Sequence, residues 1–391
     1  MVDALFEAVR SVTGERTDFV PLHEPEFAGN ELAYVTECIE TGWVSSVGSF
    51  VDRFEAELAA YTGSKRAIVT VNGTAALHVA LLLAGVEPGD EVLLPTLTFI
   101  ATANAVSYAN ATPHFVDSEE VTLAVDPDRL EAHLAAIAEV REGQCFNRRT
   151  GARIAALVVM HAFGHPARMD ELSALAARWS ILLVEDAAES LGSTYRGRHT
   201  GNVGLVSALS FNGNKVLTTG GGGAILTNDE DLGRRAKHLT TTARVPDRWN
   251  FVHDAVGYNY RLPNLNAALG VAQLERLPGM LARKRALAAR YAEALAEIDG
   301  IGFFAEPEGT ISNYWLCTAL LDKADPTLLE AVLQRLNDGN LMARPVWTPM
   351  HRLPMFASAP RADLSQADDL SARIVNLPSS PNLAGPPGSI A

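Results

Sequence analysis

Ala67-Ile68-Val69-Thr70-Val71-Asn72-Gly73-Thr74-Ala75-Ala76-Leu77 is a β-rich apolar run, a glycine turn and the start of a helix. The run suits a buried strand, and Ala75 to Ala84, stopped by Gly85, suits a helix. Working outward, the pattern repeats. Glu91 to Leu94, ended by Pro95, and His114 to Asp117 read as strands, with a small-residue helix from Ala101 to Ala109 between them. Ala155 to Met160, Ile181 to Glu185 and Val206 to Phe211 are further strands, and Met169 to Trp179 is a helix between the first two. Asp128 to Val140 reads as a helix with Leu130, Leu134 and Ile137 on one face, and Arg141 to Arg153 as an inserted polar loop. This alternation predicts an α/β domain with a mainly parallel sheet covered by helices on both faces.

The pattern changes after Ala243. Leu262 to Leu277 and Gly279 to Ile298 read as two long helices separated at Pro278, followed by a mixed α+β tail. The expected division is a large α/β domain over 18–250 and a smaller C-terminal α+β domain over 251–391. A chain of 391 residues is too long for one ordinary core, which agrees with two domains.

Composition narrows the function. A net charge of -14 argues against a general polyanion binder, so no nucleic-acid partner is expected, although a local phosphate site remains compatible. Cys38, Cys145 and Cys317 show no paired spacing and suggest neither a disulfide framework nor a zinc knuckle. The N-terminus has no cationic segment of the signal-peptide type. The longest apolar stretch, Leu77 to Val86, is about half of the ~20 residues that a membrane span needs. A cytoplasmic protein with no membrane partner is expected.

Three stretches carry chemistry. The Asn72-Gly73-Thr74-Ala75 turn stands where α/β proteins bind phosphate, because free N–H groups and the helix dipole converge there. It is not a dinucleotide fingerprint, since the later glycines of that motif are missing. Gly220 to Gly223 lack the Lys-Ser/Thr of a P-loop and read as a close-packed turn that also leaves room beside Lys215. Asp186 follows an apolar run and should emerge at the carboxyl end of a strand, where open sheets bind ligands; the competing role is a helix N-cap. Lys215 follows Ser210 within Ser210-Phe211-Asn212-Gly213-Asn214-Lys215, and as an isolated residue would be one more surface lysine. Together, a lysine amine for an aldehyde, a serine for a phosphate and an aspartate for a ring nitrogen point to pyridoxal 5'-phosphate (PLP). His161 and His165 lie in a turn with Gly164 and Pro166, without the helical spacing of a metal motif, so no metal is expected. Phe99, just after a strand end and Pro95, is a candidate to lie against the cofactor.

Gly42-Trp43-Val44-Ser45-Ser46-Val47-Gly48, Asn72 to Leu77, Gly89-Asp90-Glu91-Val92, Glu185-Asp186-Ala187-Ala188-Glu189, Ser210 to Lys215 and Gly257-Tyr258-Asn259-Tyr260-Arg261-Leu262 occur in order. Together they resemble the DegT/StrS family of PLP-dependent nucleotide-sugar aminotransferases. The resemblance implies a type I aminotransferase fold and a homodimer with shared active sites. It implies that Lys215 forms the internal aldimine and Asp186 pairs with the pyridine nitrogen. Phe99 and Glu189 would lie near the ring, Gly73, Thr74, Ala75 and Ser210 would hold the phosphate, and Asn259 would reach it from the other subunit. A finer similarity, to the LegC-like branch, rests on Pro21-Leu22-His23-Glu24-Pro25, Asn212-Gly213-Asn214, Arg344 to Pro349, Asn376 to Ser380 and the polar insertion around Cys145-Phe146-Asn147. It implies L-glutamate as amino donor and C4 of a UDP- or GDP-linked 4-keto-6-deoxy sugar as acceptor. The rivals are a sugar dehydratase on the same fold, in which histidine replaces the lysine, and a non-catalytic ligand sensor. A nicotinamide-dependent oxidoreductase is disfavoured by the missing fingerprint.

Overall fold

A computed structural model describes residues 1–14 and 18–386; residues 387–391 of the expected second domain lie outside the described residues. Seven strands form the main sheet: β1 (Arg66–Thr70), β2 (Glu91–Pro95), β3 (Thr112–Val116), β4 (Ile154–Met160), β5 (Leu182–Asp186), β6 (Val206–Ser210) and β7 (Gly223–Thr227). Their spatial order is β1-β7-β6-β5-β4-β2-β3. β7 alone runs against the rest, antiparallel to both β1 and β6. The expected mainly parallel sheet is present.

Alternation along the strands divides the core. Ile68, Ile225, Ala208 and Val184 join a cluster with Leu77, Ala80 and Leu81 of α4 (Gly73–Leu83) and Ala103 and Val106 of α5 (Ile100–Tyr108). Val69, Ala224 and Leu209 point the other way, into a cluster with Phe54 of the helix Ser49–Thr62 and with Val271 and Leu277. Helices therefore cover both faces, and the carboxyl ends of the parallel strands are left open to a ligand.

The helix carrying Val271 and Leu277 differs from the sequence expectation. Asn264–Leu295 is one helix of 32 residues with Pro278 inside it, not two helices. Pro278 and Gly279 face solvent, while Leu277 and Met280 on either side are buried. A proline removes one helical hydrogen bond at a cost of about 3 kcal/mol, and burial along both halves offsets it. The second half, through Leu287, Ala288, Tyr291 and Leu295, enters another core with Leu5, Phe6 and Val9 of α1 (Val2–Thr13). That core also covers a small antiparallel sheet of β8 (Ile301–Phe303), β9 (Cys317–Leu321), β10 (Arg344–Pro345) and β11 (Ile374–Leu377), ordered β8-β9-β11-β10. The N-terminal helix thus packs with the C-terminal elements.

A second difference lies in the insertion. The helix expected over Asp128 to Val140 spans Pro127–Ile137, and Ala138–Arg141 instead pairs with Gln144–Asn147. Glu142 and Gly143 both have positive φ, 51° and 75°, as a two-residue hairpin turn requires. Buried Glu91 anchors this hairpin, accepting from Asn147 Nδ2 (2.9 Å) and Thr150 Oγ1 (2.5 Å) while pairing with His114 Nδ1 (2.7 Å). The polar residues read as a loop are thus tied to a buried carboxylate.

Two glycines of the long helix give opposite expectations. A Cβ on Gly270 would lie 2.6 Å from Phe54 ring carbons, whereas one on Gly279 would meet nothing within 4 Å. Gly270→Ala should therefore cost about 1–3 kcal/mol through overpacking. Gly279→Ala should gain about 0.5–1 kcal/mol through helix propensity. Urea unfolding of the two variants checks both signs.

Candidate active site

A cavity of about 700 Å³ opens at the carboxyl edge of the sheet. Four local structures converge on it. Strand β5 ends at Asp186, whose carboxylate is buried and accepts from Thr102 Oγ1 (2.7 Å) and the Ala188 N–H (3.2 Å). Its neighbour Glu185 projects away from the cavity, taking hydrogen bonds from the N–H groups of Gly201, Val203 and Gly204 and pairing with His161. His161 is thus committed to a structural carboxylate, and its Nδ1 accepts from the Ala167 N–H. Burial pushes the Asp186 carboxyl up; the hydrogen bonds from Thr102 and Ala188 and the charge of Lys215 oppose it.

Strand β6 ends at Ser210, and the chain turns through Phe211 to Lys215, with the Lys215 N–H donating to Asn212 O (3.0 Å). The amine of Lys215 is 3.2 Å from Glu189 Oε1 and 3.7 Å from the centre of the Trp315 ring. Trp315 is held in turn by its indole N–H on Asn214 O (2.7 Å). The other Glu189 oxygen accepts from the Phe163 N–H (2.9 Å). Phe163 has a φ of 55°, unusual for a bulky residue. Its ring stacks on Trp347 at 4.9 Å, and half-exposed Phe99 meets Trp347 edge-on.

The third convergent element is the start of α4. Asn72 caps it, its side chain accepting from the Ala75 N–H (2.7 Å). The N–H groups of Gly73 and Thr74 belong to the helix end that has no intrahelical acceptors, and the first turn contains no acid. A Cβ on Gly73 would lie 2.9 Å from Ser210 Cβ, so the cradle admits only a glycine beside the serine. Gly223 has a related role: its Cβ would fall 2.6–2.7 Å from the backbone of Asn72 and Gly73. Of the four glycines, Gly223 is the one packed against the Asn72-Gly73 turn, whereas a Cβ on Gly220 or Gly221 would meet nothing within 4 Å. The fourth element is the small sheet, which contributes Arg344 and Asn376 to the cavity wall.

Of the sequence candidates, Lys215, Asp186, Gly73, Thr74, Phe99, Glu189 and Ser210 share this cavity. Ala75 is not in its wall, and its N–H is taken by Asn72. Asn259 is exposed outside it, its side chain accepting from the Arg261 guanidinium. Thr102, Trp315 and Phe163 were not singled out from sequence. Their contacts with Asp186, Lys215 and Glu189 cross 84, 100 and 26 positions respectively, and no local pattern reports such a distance. An uncovered helix N-terminus, a buried carboxylate and a lysine in one cavity have the chemistry to take the phosphate, ring nitrogen and aldehyde of PLP. The residues present fit that group.

Comparison with known proteins adds to this geometry. A model of the DegT/DnrJ/EryC1/StrS aminotransferase family matches residues 25–387. The chain belongs to that family. The aminotransferase is 38% identical to the "Putative pyridoxal phosphate-dependent aminotransferase EpsN" of Bacillus subtilis (strain 168), over 93% of this chain and 91% of that protein. It is also 38% identical to "GDP-perosamine synthase" of Caulobacter vibrioides, over 90% of this chain and 91% of that one. Among solved structures it resembles S. venezuelae DesV "in complex with ketimine intermediate", with a TM-score of 0.78 and 31% identity over 98% of this chain and 93% of that chain. A second, a DegT DnrJ EryC1 StrS aminotransferase from Brucella abortus, has a TM-score of 0.80 and 29% identity over 90% of each. The enzyme class and the PLP dependence expected from sequence are those of this family.

The electrostatics of the aminotransferase yield one pH dependence. Burial raises the Glu189 carboxyl from 4.5 to about 7, with Lys215 and the Phe163 N–H opposing. A carboxyl whose folded pKa exceeds its unfolded value keeps its proton longer in the folded state. Its contribution to stability is therefore full below pH 4.5 and declines as pH rises towards 7. Glu189→Gln removes this decline, so the variant should gain stability relative to the wild type between pH 5 and 7.5. Urea unfolding of the cofactor-free proteins across that range checks it; a difference independent of pH would contradict the raised carboxyl.

Proposed function

We propose that the enzyme is a nucleotide-sugar aminotransferase that moves the amino group of L-glutamate to C4 of a nucleotide-linked 4-keto-6-deoxy sugar. The proposed acceptor is a UDP- or GDP-2-acetamido-2,6-dideoxy-hexos-4-ulose, in a pathway of the legionaminic acid or bacillosamine type. The observation that carries the reading is the meeting of Lys215, Asp186 and the open start of α4 in one cavity. The printed name of the perosamine synthase relative supports a nucleotide-linked sugar as acceptor.

In this reading Lys215 would hold the aldehyde carbon of PLP, Asp186 its ring nitrogen, and Gly73, Thr74 and Ser210 its phosphate, while the Ala75 N–H stays with the Asn72 side chain. When bound, PLP supplies an electron sink for the bonds broken at the substrate carbon. Asp186 favours a protonated ring nitrogen, since a cation there compensates a buried carboxylate. Thr102 fixes the orientation of that carboxylate. Lys215 Nζ, as a free uncharged amine, would take up and return the substrate proton. Glu189 and the Trp315 face keep Nζ within the cavity during this transfer. Phe99, Phe163 and Trp347 add apolar ring surface to the cavity wall.

The proposed assembly is a homodimer with shared sites. Leu32, Ile39, Trp43 and Val47, in and just after the helix Glu31–Thr41, are exposed, as are Trp249, Phe251 and Val256 around the hairpin of Arg244–Val245 and Val252–His253. Exposed apolar patches mark interaction surfaces. Asn259, exposed near that hairpin, would then complete the phosphate site of a second copy.

Purified protein loaded with PLP should be yellow and bleach with L-glutamate, then recover its colour with the keto-sugar. Lys215→Ala should abolish turnover, and Asp186→Asn should reduce it at least 100-fold with the fold intact by circular dichroism. Wild-type-like turnover in Lys215→Ala would end this reading. Gly73→Ala should weaken PLP binding at least tenfold in an absorbance titration, because its Cβ enters the contact with Ser210. Mixing inactive Lys215→Ala and Asn259→Ala subunits should restore activity, as one site of each mixed dimer regains both residues; no recovery would argue for independent sites.

A further inference from the structure

One wall of the cavity is left over once the proposed cofactor contacts are assigned. Its polar members include His23, Asn376 and the cationic Arg344, set among Leu22, Leu316, Met342 and Trp347. His23 is half-buried, but both of its ring nitrogens are shielded from solvent and neither has a hydrogen-bond partner. Buried polar groups without partners are rare in folded proteins, and this one borders a cavity.

The backbone around His23 is fixed from both sides. The Met342 N–H donates to Val20 O (2.9 Å), the Ser379 N–H to Leu22 O (2.7 Å), and the Glu24 N–H to Ser380 Oγ (3.0 Å). Burial first, then the charges of Lys284 and Lys215, hold the imidazole well below its usual pKa; the Asn214 backbone opposes this without a hydrogen bond of sound geometry. A neutral imidazole offers one donor and one acceptor. Asn376 is equally constrained: its Oδ1 accepts from Thr318 Oγ1 (2.9 Å), which leaves the amide NH₂ as its free end. The ammonium of Lys284 is turned away onto the carbonyls of Trp315 and Ser379. His23 and Asn376 therefore present uncharged hydrogen-bonding groups in this wall, and Arg344, paired with Asn376 in the small sheet, adds a guanidinium. Carboxylates are best held by paired cations, whereas hydroxyl and amide groups suit neutral donors and acceptors.

We propose that His23 and Asn376 form the subsite that reads the hydroxyl or acetamido substituents of the sugar ring, and so determine which sugar is aminated. This rests on the nucleotide-sugar reading above. His23 acts as a specificity residue and leaves the amino donor to the Lys215 side of the cavity.

The test compares the two halves of the reaction in His23→Phe, Asn376→Leu and His23→Gln, with UDP- and GDP-linked 2-acetamido-2,6-dideoxy-hexos-4-ulose as acceptors. The first two variants should raise the sugar KM at least tenfold while slowing bleaching by glutamate less than threefold; His23→Gln should recover most of the loss. Calorimetric binding of the same sugars to PLP-loaded Lys215→Ala protein, which cannot turn them over, should weaken by a similar factor when His23→Phe or Asn376→Leu is added. Equal slowing of both half-reactions, or unchanged sugar binding, would overturn the proposal. Wild-type protein indifferent to glutamate would count against the amino donor instead, and the calorimetry would still decide the subsite. If His23→Phe fails to fold, Asn376→Leu carries the same comparison.

Discussion

The backbone of Asn72 and Gly73 rests directly on Gly223, with no room for a side chain between them. This contact fixes the distance between the start of α4 and the ends of β6 and β7. It sets Ser210 against Gly73 and thereby fixes where the open N–H groups of α4 stand relative to Lys215, five residues beyond Ser210. β7 runs against the other strands, so its first residue, not its last, reaches the ligand edge. The cradle exists because an antiparallel strand begins there with a glycine.

Around that contact the protein sorts its buried charges by what they meet. Glu185 and Asp186 are adjacent on one strand and point to opposite sides. Glu185 is satisfied by backbone N–H groups and His161, and these partners hold its carboxyl below the usual range despite burial. Asp186 and Glu189 have fewer partners, and burial raises both. An under-compensated carboxylate inside a cavity is poised to gain from a cationic ligand. The charges that stabilise the fold and those that face the cavity thus differ in how completely the protein itself neutralises them.

The parallel sheet was legible because its strands are short apolar runs separated by helical patterns, and buried strands need nothing else. The meeting of Lys215, Asp186 and the Gly73 turn in one cavity was legible because each lies at or shortly after a strand end, where chain direction implies position. The long helix was misdivided because Pro278 is a local signal, while the burial of Leu277 and Met280 that overrides it is tertiary. The insertion was read as a loop because its anchor, Glu91, lies 56 and 59 positions upstream of the residues it holds. Trp315 and Thr102 escaped for the same reason: a contact across the fold leaves no periodicity in the chain. His23 stood in a quoted motif, but only its unpaired ring nitrogens beside the cavity give it a chemical role.

The helix Asn264–Leu295 extends for about 48 Å at the usual rise per residue and belongs to two hydrophobic cores at once. Neither core can lose its packing without exposing a face of the helix that the other relies on. The α/β part and the small antiparallel part are thereby coupled in melting, and the protein should unfold as one cooperative unit, not as two beads on a string. The same coupling keeps Trp315, Arg344 and Asn376, which come from the small part, in register with Lys215 and Asp186 on the main sheet. A cavity assembled from two cores is then as durable as either of them.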